Sequence, residues 1–462
     1  MRKKLRDFIA LSVCFSMLVL PACNSTIGAN GNEQLVLRVG SWDEYIDTGG
    51  EDSYVEGSKA LYDEFVEEYN AKTGKNIALE YVPLQDNETM YNKLKMGDTY
   101  DLLCPSEYMI MKLISENQLQ PFPSTFLDPT IEGNYYAQNL SPYIKSEFEK
   151  GGWESYVAGY MWGSTGFVYN PDVIAPNNPT KAREIMSKWS ALTAKETKRI
   201  ITAKDNVRDT YFMGLGLYYE QQLLEEKAKL ERGEITLSDY QTTLRKKMND
   251  TDDETIKGVR KLLEEVRGNL YGLETDEGKL DIIAGRLGAS YQWSGDAVFT
   301  LDEAENDNEG TRNPLYLEYA IPLSASNLWF DGWVLTKNVS PEKVEIATEF
   351  INFLSRPINV VRNMYYIGYT SCLSGDPNAE ENLIYDYISE TYSAEEGDED
   401  TVEYNLDYFF GDGHILTAPA DQAYRQLFAQ YPDSKTIERL VVMQNFSPKK
   451  NKTLNRMWTS IK

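Results

Sequence analysis

Asp331 stands between two indoles in Leu328-Trp329-Phe330-Asp331-Gly332-Trp333, within a largely apolar run from Leu323 to Leu335. These residue types suit an alkylammonium group. The carboxylate meets the charge, while aromatic faces cover the methylenes and attract the cation through their quadrupoles. The same residues would also serve an edge strand with an exposed Asp between core tryptophans, so this stretch alone leaves both readings open. Other chemistries find less support. His414 is the one histidine, which removes His-rich zinc sites and makes any Ser-His triad depend on a residue in an acidic stretch. Gly214-Leu215-Gly216 lacks the third glycine of a dinucleotide loop. Glu305-Asn306-Asp307-Asn308-Glu309-Gly310 has a calcium-like spacing without the Glu twelve positions from its start. No metal and no cofactor are expected. A hydrolase using two carboxylates is the enzyme alternative, and binding without catalysis is the expectation.

The elements that must position Asp331 show α/β alternation. Leu35 to Val39 reads as a strand followed by the loop Ser41-Trp42-Asp43-Glu44-Tyr45. Leu61, Phe65 and Tyr69 have helical spacing stopped by Gly74, and Ile77 to Val82 is a second strand. Thr89 to Lys95 predicts a short helix, and Tyr100 to Cys104 a strand running into Pro105-Ser106-Glu107-Tyr108. This order predicts a parallel sheet covered by helices, with ligand-binding loops at the carboxyl ends of strands. The pattern restarts with strands over Tyr156–Trp162 and Gly166–Asn170 and a strand–loop–helix unit through Ile200 to Thr210. Tyr218 to about Val266 predicts two or three amphipathic helices with a solvated charged face outside any cleft, capped by Thr236 and by Thr251 or Asp252. Pro341 to Leu354 predicts another helix, and the acidic stretch Ala379 to Thr401 a surface insertion.

A chain of 462 residues is too long for one core. Its formal charge of −26 argues against nucleic acid and leaves a soluble cation as a natural partner, although acidity also serves solubility. Met1 to Arg6 is basic and Phe8 to Leu20 apolar but too short to span a bilayer, which predicts an export signal. Leu20-Pro21-Ala22-Cys23 resembles a bacterial lipobox. Residues 1–22 are therefore expected to be a signal peptide, Cys23 the lipidation site, and 23–34 a tether holding the protein outside the cytoplasmic membrane. Cys104 and Cys372 would be two buried thiols or one bridge.

Several segments together resemble a known family. They are Ser41 to Tyr45, Asn87-Glu88-Thr89-Met90-Tyr91, Tyr100 to Ser106, Trp162-Gly163-Ser164-Thr165-Gly166, Trp293-Ser294-Gly295-Asp296-Ala297, Trp329-Phe330-Asp331, and Ile351-Asn352-Phe353-Leu354-Ser355-Arg356-Pro357. In this order they are similar to the PotD family of spermidine/putrescine-binding proteins of polyamine ABC importers. The resemblance implies a type II-like periplasmic-binding-protein fold with the ligand cleft between two α/β lobes, here 35–162 with 330–375 and 163–329 with 376–462, the helices of 218–266 being an insertion. It implies an aromatic box of Trp42, Tyr45, Tyr108, Trp293 and Trp329 with Ser106 beside it. Glu44, Asp209 and Asp331 would bind ammonium groups, and Gln444 would hold a terminal amine. Asn206 stands where the family often has a carboxylate, which leaves the choice between a triamine and a diamine open. The implied partners are a polyamine, ABC permease subunits and, through the lipid, a membrane. A monomer is expected. A same-fold binding protein for another cation or a sugar is the alternative.

Overall fold

The computed structural model describes residues 34–274, 277–306, 314–377 and 379–462. The export segment, Cys23 and almost all of the tether lie outside the described residues, as does most of the Glu305–Gly310 run.

The first half grows from Leu35–Trp42, which pairs in parallel with Ile77–Leu84 from Leu35 opposite Ile77 to Trp42 opposite Leu84. Parallel neighbours need a crossover, and the Leu61–Thr73 helix supplies it. It buries Leu61, Phe65 and Tyr69 and stops at Gly74, whose φ of 68° suits a residue without Cβ. The main sheet runs in the order Ile77–Leu84, Leu35–Trp42, Leu102–Leu103, Ser326–Thr336, Ala158–Tyr169, Ala289–Trp293, Ile201–Lys204, Gly272–Glu274. Helices cover it on both faces.

Two long strands at the middle join the halves. Ala158–Tyr169 is buried at every position and antiparallel to Ser326–Thr336. The two strands expected over Tyr156–Trp162 and Gly166–Asn170 are thus one, because Gly163 and Gly166 continue the extended backbone where neighbouring side chains crowd it. At its far end this strand pairs with Ala289–Trp293, and Ser326–Thr336 reaches Leu102–Leu103. The register shifts between Asp331 and Gly332, where Met161 and Gly159 face them and Tyr160 is the extra residue. A bulge of this kind re-aims side chains.

Two expectations are corrected. The segment 376–462 does not pack as one body with the second half: Ile384, Ile388, Tyr404, Phe409, Phe410 and Leu416 join the core built on Leu37, Leu103 and Phe350. The acidic stretch after Ala379 is accordingly no mere surface insertion, since the Leu383–Tyr392 helix drives Ile384 and Ile388 into that core. The stretch 218–266 falls on three helices, Val207–Glu231, Leu237–Met248 and Asp253–Asn269, which form much of the second core through Leu223, Tyr240, Leu244, Val259 and Leu263. Their amphipathic pattern is real, with a capping box at Thr236 and Asp239 and the N-cap of the third at Asp252. Its apolar side fills the domain. Cys104 and Cys372 are two buried free thiols.

Candidate functional site

Asp331 is 5% exposed at the bulge, where the two halves meet. Trp42 leaves the end of the first strand and donates from Nε1 to Asp331 Oδ2 at 2.9 Å. Tyr45 donates from its hydroxyl to the same oxygen at 2.7 Å, and its own carbonyl accepts from the Tyr160 hydroxyl. The Ser106 side chain stands beside the carboxyl group and favours its charged form. Asn87 holds Ser106 in place, donating to its Oγ at 2.9 Å and accepting from its N–H at 3.0 Å. Burial still raises the Asp331 pKa above the ordinary carboxylate range, because these donors only partly replace water. Oδ1 is buried and accepts no hydrogen bond among the described residues.

Aromatic walls surround that oxygen's carboxylate. Trp329 lies across Gly163 and donates to the Ser164 carbonyl at 3.1 Å. A Cβ on Gly163 would stand 2.6 Å from the Trp329 ring, so glycine permits this packing. Tyr369 packs against Trp329 with centroids 5.4 Å apart and against Tyr45 at 5.9 Å. Gly295 leaves room for it, since a Cβ there would fall inside the ring. Tyr369 donates to Asp296 Oδ1 at 3.2 Å and so links the Asp331 neighbourhood to the second half. Behind the site Glu107 is 1% exposed and accepts from the Phe330 N–H at 3.2 Å. Burial, reinforced by Asp331, pushes its pKa up to about 8.

The other end is built on the Ile201–Lys204 strand and the start of the Val207–Glu231 helix. Asn206 is the N-cap, its side chain accepting from the N–H groups of Arg208 and Asp209. That cap turns Arg208 and Asp209 inward. Asp209 is buried with a pKa raised to about 6, burial being opposed by Lys204, Arg208 and a hydrogen bond from Trp293. Arg208 lies over the rings of Phe446 and Tyr108 at 4.1 and 4.8 Å and donates to the Gln444 carbonyl at 2.5 Å. Tyr108 in turn donates to Glu88 at 3.1 Å. A groove of about 850 Å³ lies beside this end rather than at Asp331, lined by Tyr91, Lys112, Phe446 and Arg456 among others.

The structure therefore brings Trp42, Tyr45, Ser106, Trp329 and Asp331 together at one end, and Tyr108, Asn206, Asp209 and Trp293 at the other. Glu44 and Gln444 take different places. Glu44 is exposed in a left-handed conformation (φ 51°), and the Gln444 side chain is exposed while its backbone serves Arg208 and Asn249. Sequence reasoning missed Tyr369, Glu107, Lys204 and Arg208. Tyr369 could have been found as an aromatic in the loop after a helix; the roles of the others arise only from long-range packing.

The profile of the family described as bacterial extracellular solute-binding protein matches residues 64–381, more than half of the chain. The chain belongs to that family. This is a solute-binding family rather than an enzyme class, and its members act outside the cytoplasm. Among curated proteins, the chain is 25% identical over 344 residues to the spermidine/putrescine-binding periplasmic protein of Salmonella typhimurium, covering 74% of this chain and 78% of that protein. It is 22% identical over 355 residues to the putrescine-binding periplasmic protein PotF of Escherichia coli strain K12, covering 75% and 80%. The fold is shared with the spermidine/putrescine ABC transporter substrate-binding protein PotD of Streptococcus pneumoniae, with a TM-score of 0.56, 23% identity, and 92% and 98% of the two chains covered. It is shared as well with the TpPotD lipoprotein of Treponema pallidum, with a TM-score of 0.56, 14% identity, and 92% and 99% covered. Among the described residues no helix is long and apolar enough to cross a membrane.

Proposed function

We propose that this protein captures a polyamine between its two halves and delivers it to the permease of an ABC importer, without catalysing a reaction. The observation that carries the reading is Asp331: a buried carboxylate whose Oδ2 accepts from Trp42 and Tyr45, whose Oδ1 accepts no hydrogen bond among the described residues, and which has the Ser106 side chain and the rings of Trp42, Tyr45 and Trp329 among its surroundings. Such a group lacks a cation, and a desolvated ammonium hydrogen-bonded to Oδ1 would complete it. Aromatic faces suit the alkyl runs between ammonium groups, whereas a neutral sugar would leave the carboxylate uncompensated. The curated relatives named for spermidine and putrescine support the same reading.

The lobes close about the two long strands, 35–162 with 330–375 forming one side and 163–329 the core of the other. Trp42, Tyr45, Ser106 and Asp331 take one end of the ligand, and Asp209 with Trp293 the other. Asn206 acts by presenting Asp209. Cys23 carries lipid that holds the mature monomer at the outer face of the membrane. Calorimetric titration with putrescine, spermidine, agmatine and glucose tests the reading. It predicts micromolar or tighter binding of at least one amine, roughly −8 kcal/mol, and no heat with glucose. Binding of glucose with silence from every amine would refute it.

A further inference from the structure

Lys204 ends the Ile201–Lys204 strand and is 2% exposed. An ammonium buried this deeply needs compensation, because losing water costs it several kcal/mol. Its Nζ lies 4.1 Å from the centroid of the Trp293 ring, 3.5 Å from Asp296 Oδ2 and 3.9 Å from Glu274 Oε1. An indole face flanked by carboxylates is what a ligand ammonium would require at this end of the cleft. Here the chain's own ammonium occupies it.

We propose that Lys204 is a specificity-determining residue, a tethered ammonium that stands in for one charge of the ligand and restricts the cleft to amines carrying two charges rather than three. This inference rests on the polyamine reading. The distribution of charge supports it. Glu274 pairs with Lys204, and Asp296 is shared between Lys204 and Lys279, whose Nζ lies 3.1 Å from Oδ1. Glu88 faces Arg208. Asp331 and Asp209 form no ion pair among the described residues, one at each end, although Lys204 and Arg208 lie close enough to Asp209 to favour its charged form. Two carboxylates match a diamine. A third ammonium reaching past Asp209 would meet Lys204 in a desolvated place, and like charges there repel strongly.

The test is titration of putrescine and spermidine into the wild type, Lys204→Met, Lys204→Gln and Lys204→Arg, each checked for folding by circular dichroism. The wild type is expected to bind putrescine more tightly than spermidine. Lys204→Met keeps the methylene packing on Trp293 without the charge, and should raise the spermidine-to-putrescine affinity ratio by at least about tenfold. Lys204→Arg should hold the wild-type ratio. If Lys204→Met fails to fold, Lys204→Gln reads the same ratio. A wild type that prefers spermidine, or an unchanged ratio in a folded neutral variant that still binds putrescine, would overturn the role of Lys204 while leaving the polyamine reading intact. Absence of any amine binding in the wild type and every variant would overturn the polyamine reading itself.

Discussion

Three buried carboxyl groups divide the electrostatic work by environment. Asp331 receives Trp42 and Tyr45 on one oxygen and accepts no hydrogen bond on the other among the described residues, which is where the proposed reading places a cation. Glu107 lies behind it, accepting from the Phe330 N–H, and burial pushes its pKa up to about 8, which keeps it protonated at neutral pH, so that it adds no second charge beside Asp331. Burial raises the Asp209 pKa to about 6, and on the proposed reading the bound state needs its carboxylate. Amine affinity should therefore be nearly flat above pH 7 and fall by about tenfold per pH unit below 6, measured calorimetrically with proton release as the companion signal. For Glu107 the sign is opposite to that of a salt-bridged acid. Its folded form holds the proton more tightly than the unfolded chain, so its contribution to stability is full below about 4.5 and is lost as pH rises through about 8. Glu107→Gln cannot ionise, and the drop in melting temperature between pH 5 and pH 8.5 should be smaller in that variant than in the wild type. An equal or larger drop would place the ionisation elsewhere.

The strands and helices explain why these groups converge. The bulge at Asp331 and Gly332 gives Asp331 its direction, and the Asn206 cap turns Asp209 inward at the start of a long helix. Much of this was legible in the sequence. Trp329-Phe330-Asp331 and Trp42 to Tyr45 carry the chemistry in their residue types, and the strand–loop–helix alternation places them at strand ends. The long central strand was read as two because glycines resemble breaks when the neighbours that require them are unknown. Tyr369 and Lys204 escaped notice for a related reason: their importance depends on Asp296, Trp293 and Trp329, which are distant in sequence. The helices of 218–266 were legible as amphipathic, but an apolar helix face does not disclose which core it packs on. Leu263 and Val259 bury against the second core, beside Gly214. Leu263→Ala should accordingly cost about 2 to 5 kcal/mol in urea denaturation. A cost within about 0.5 kcal/mol, as expected for a surface position, would contradict their packing on the second core.

At the scale of the whole molecule, the proposed reading has an acidic protein receive a cation between two halves joined by paired central strands, with Arg208 and Tyr369 bridging toward the opposite side. The lipid anchor would keep it near its permease, and Cys23→Ser should yield an unprocessed or mislocalised precursor on fractionation; processing and location like the wild type would exclude the lipobox. On the proposed reading, the energetics of the site depend on Asp331 more than on any rim charge. Removing one member of a buried charge pair costs about 2 to 5 kcal/mol, while a solvated charge changes affinity little. The most direct measurement is calorimetric titration of wild type and Asp331→Asn with putrescine and spermidine, alongside their melting temperatures without ligand. The account predicts that the folded variant binds the preferred amine more than about thirtyfold more weakly, with a melting temperature that holds or rises because a buried, incompletely satisfied carboxylate has been removed. Undiminished amine affinity in folded Asp331→Asn would contradict it.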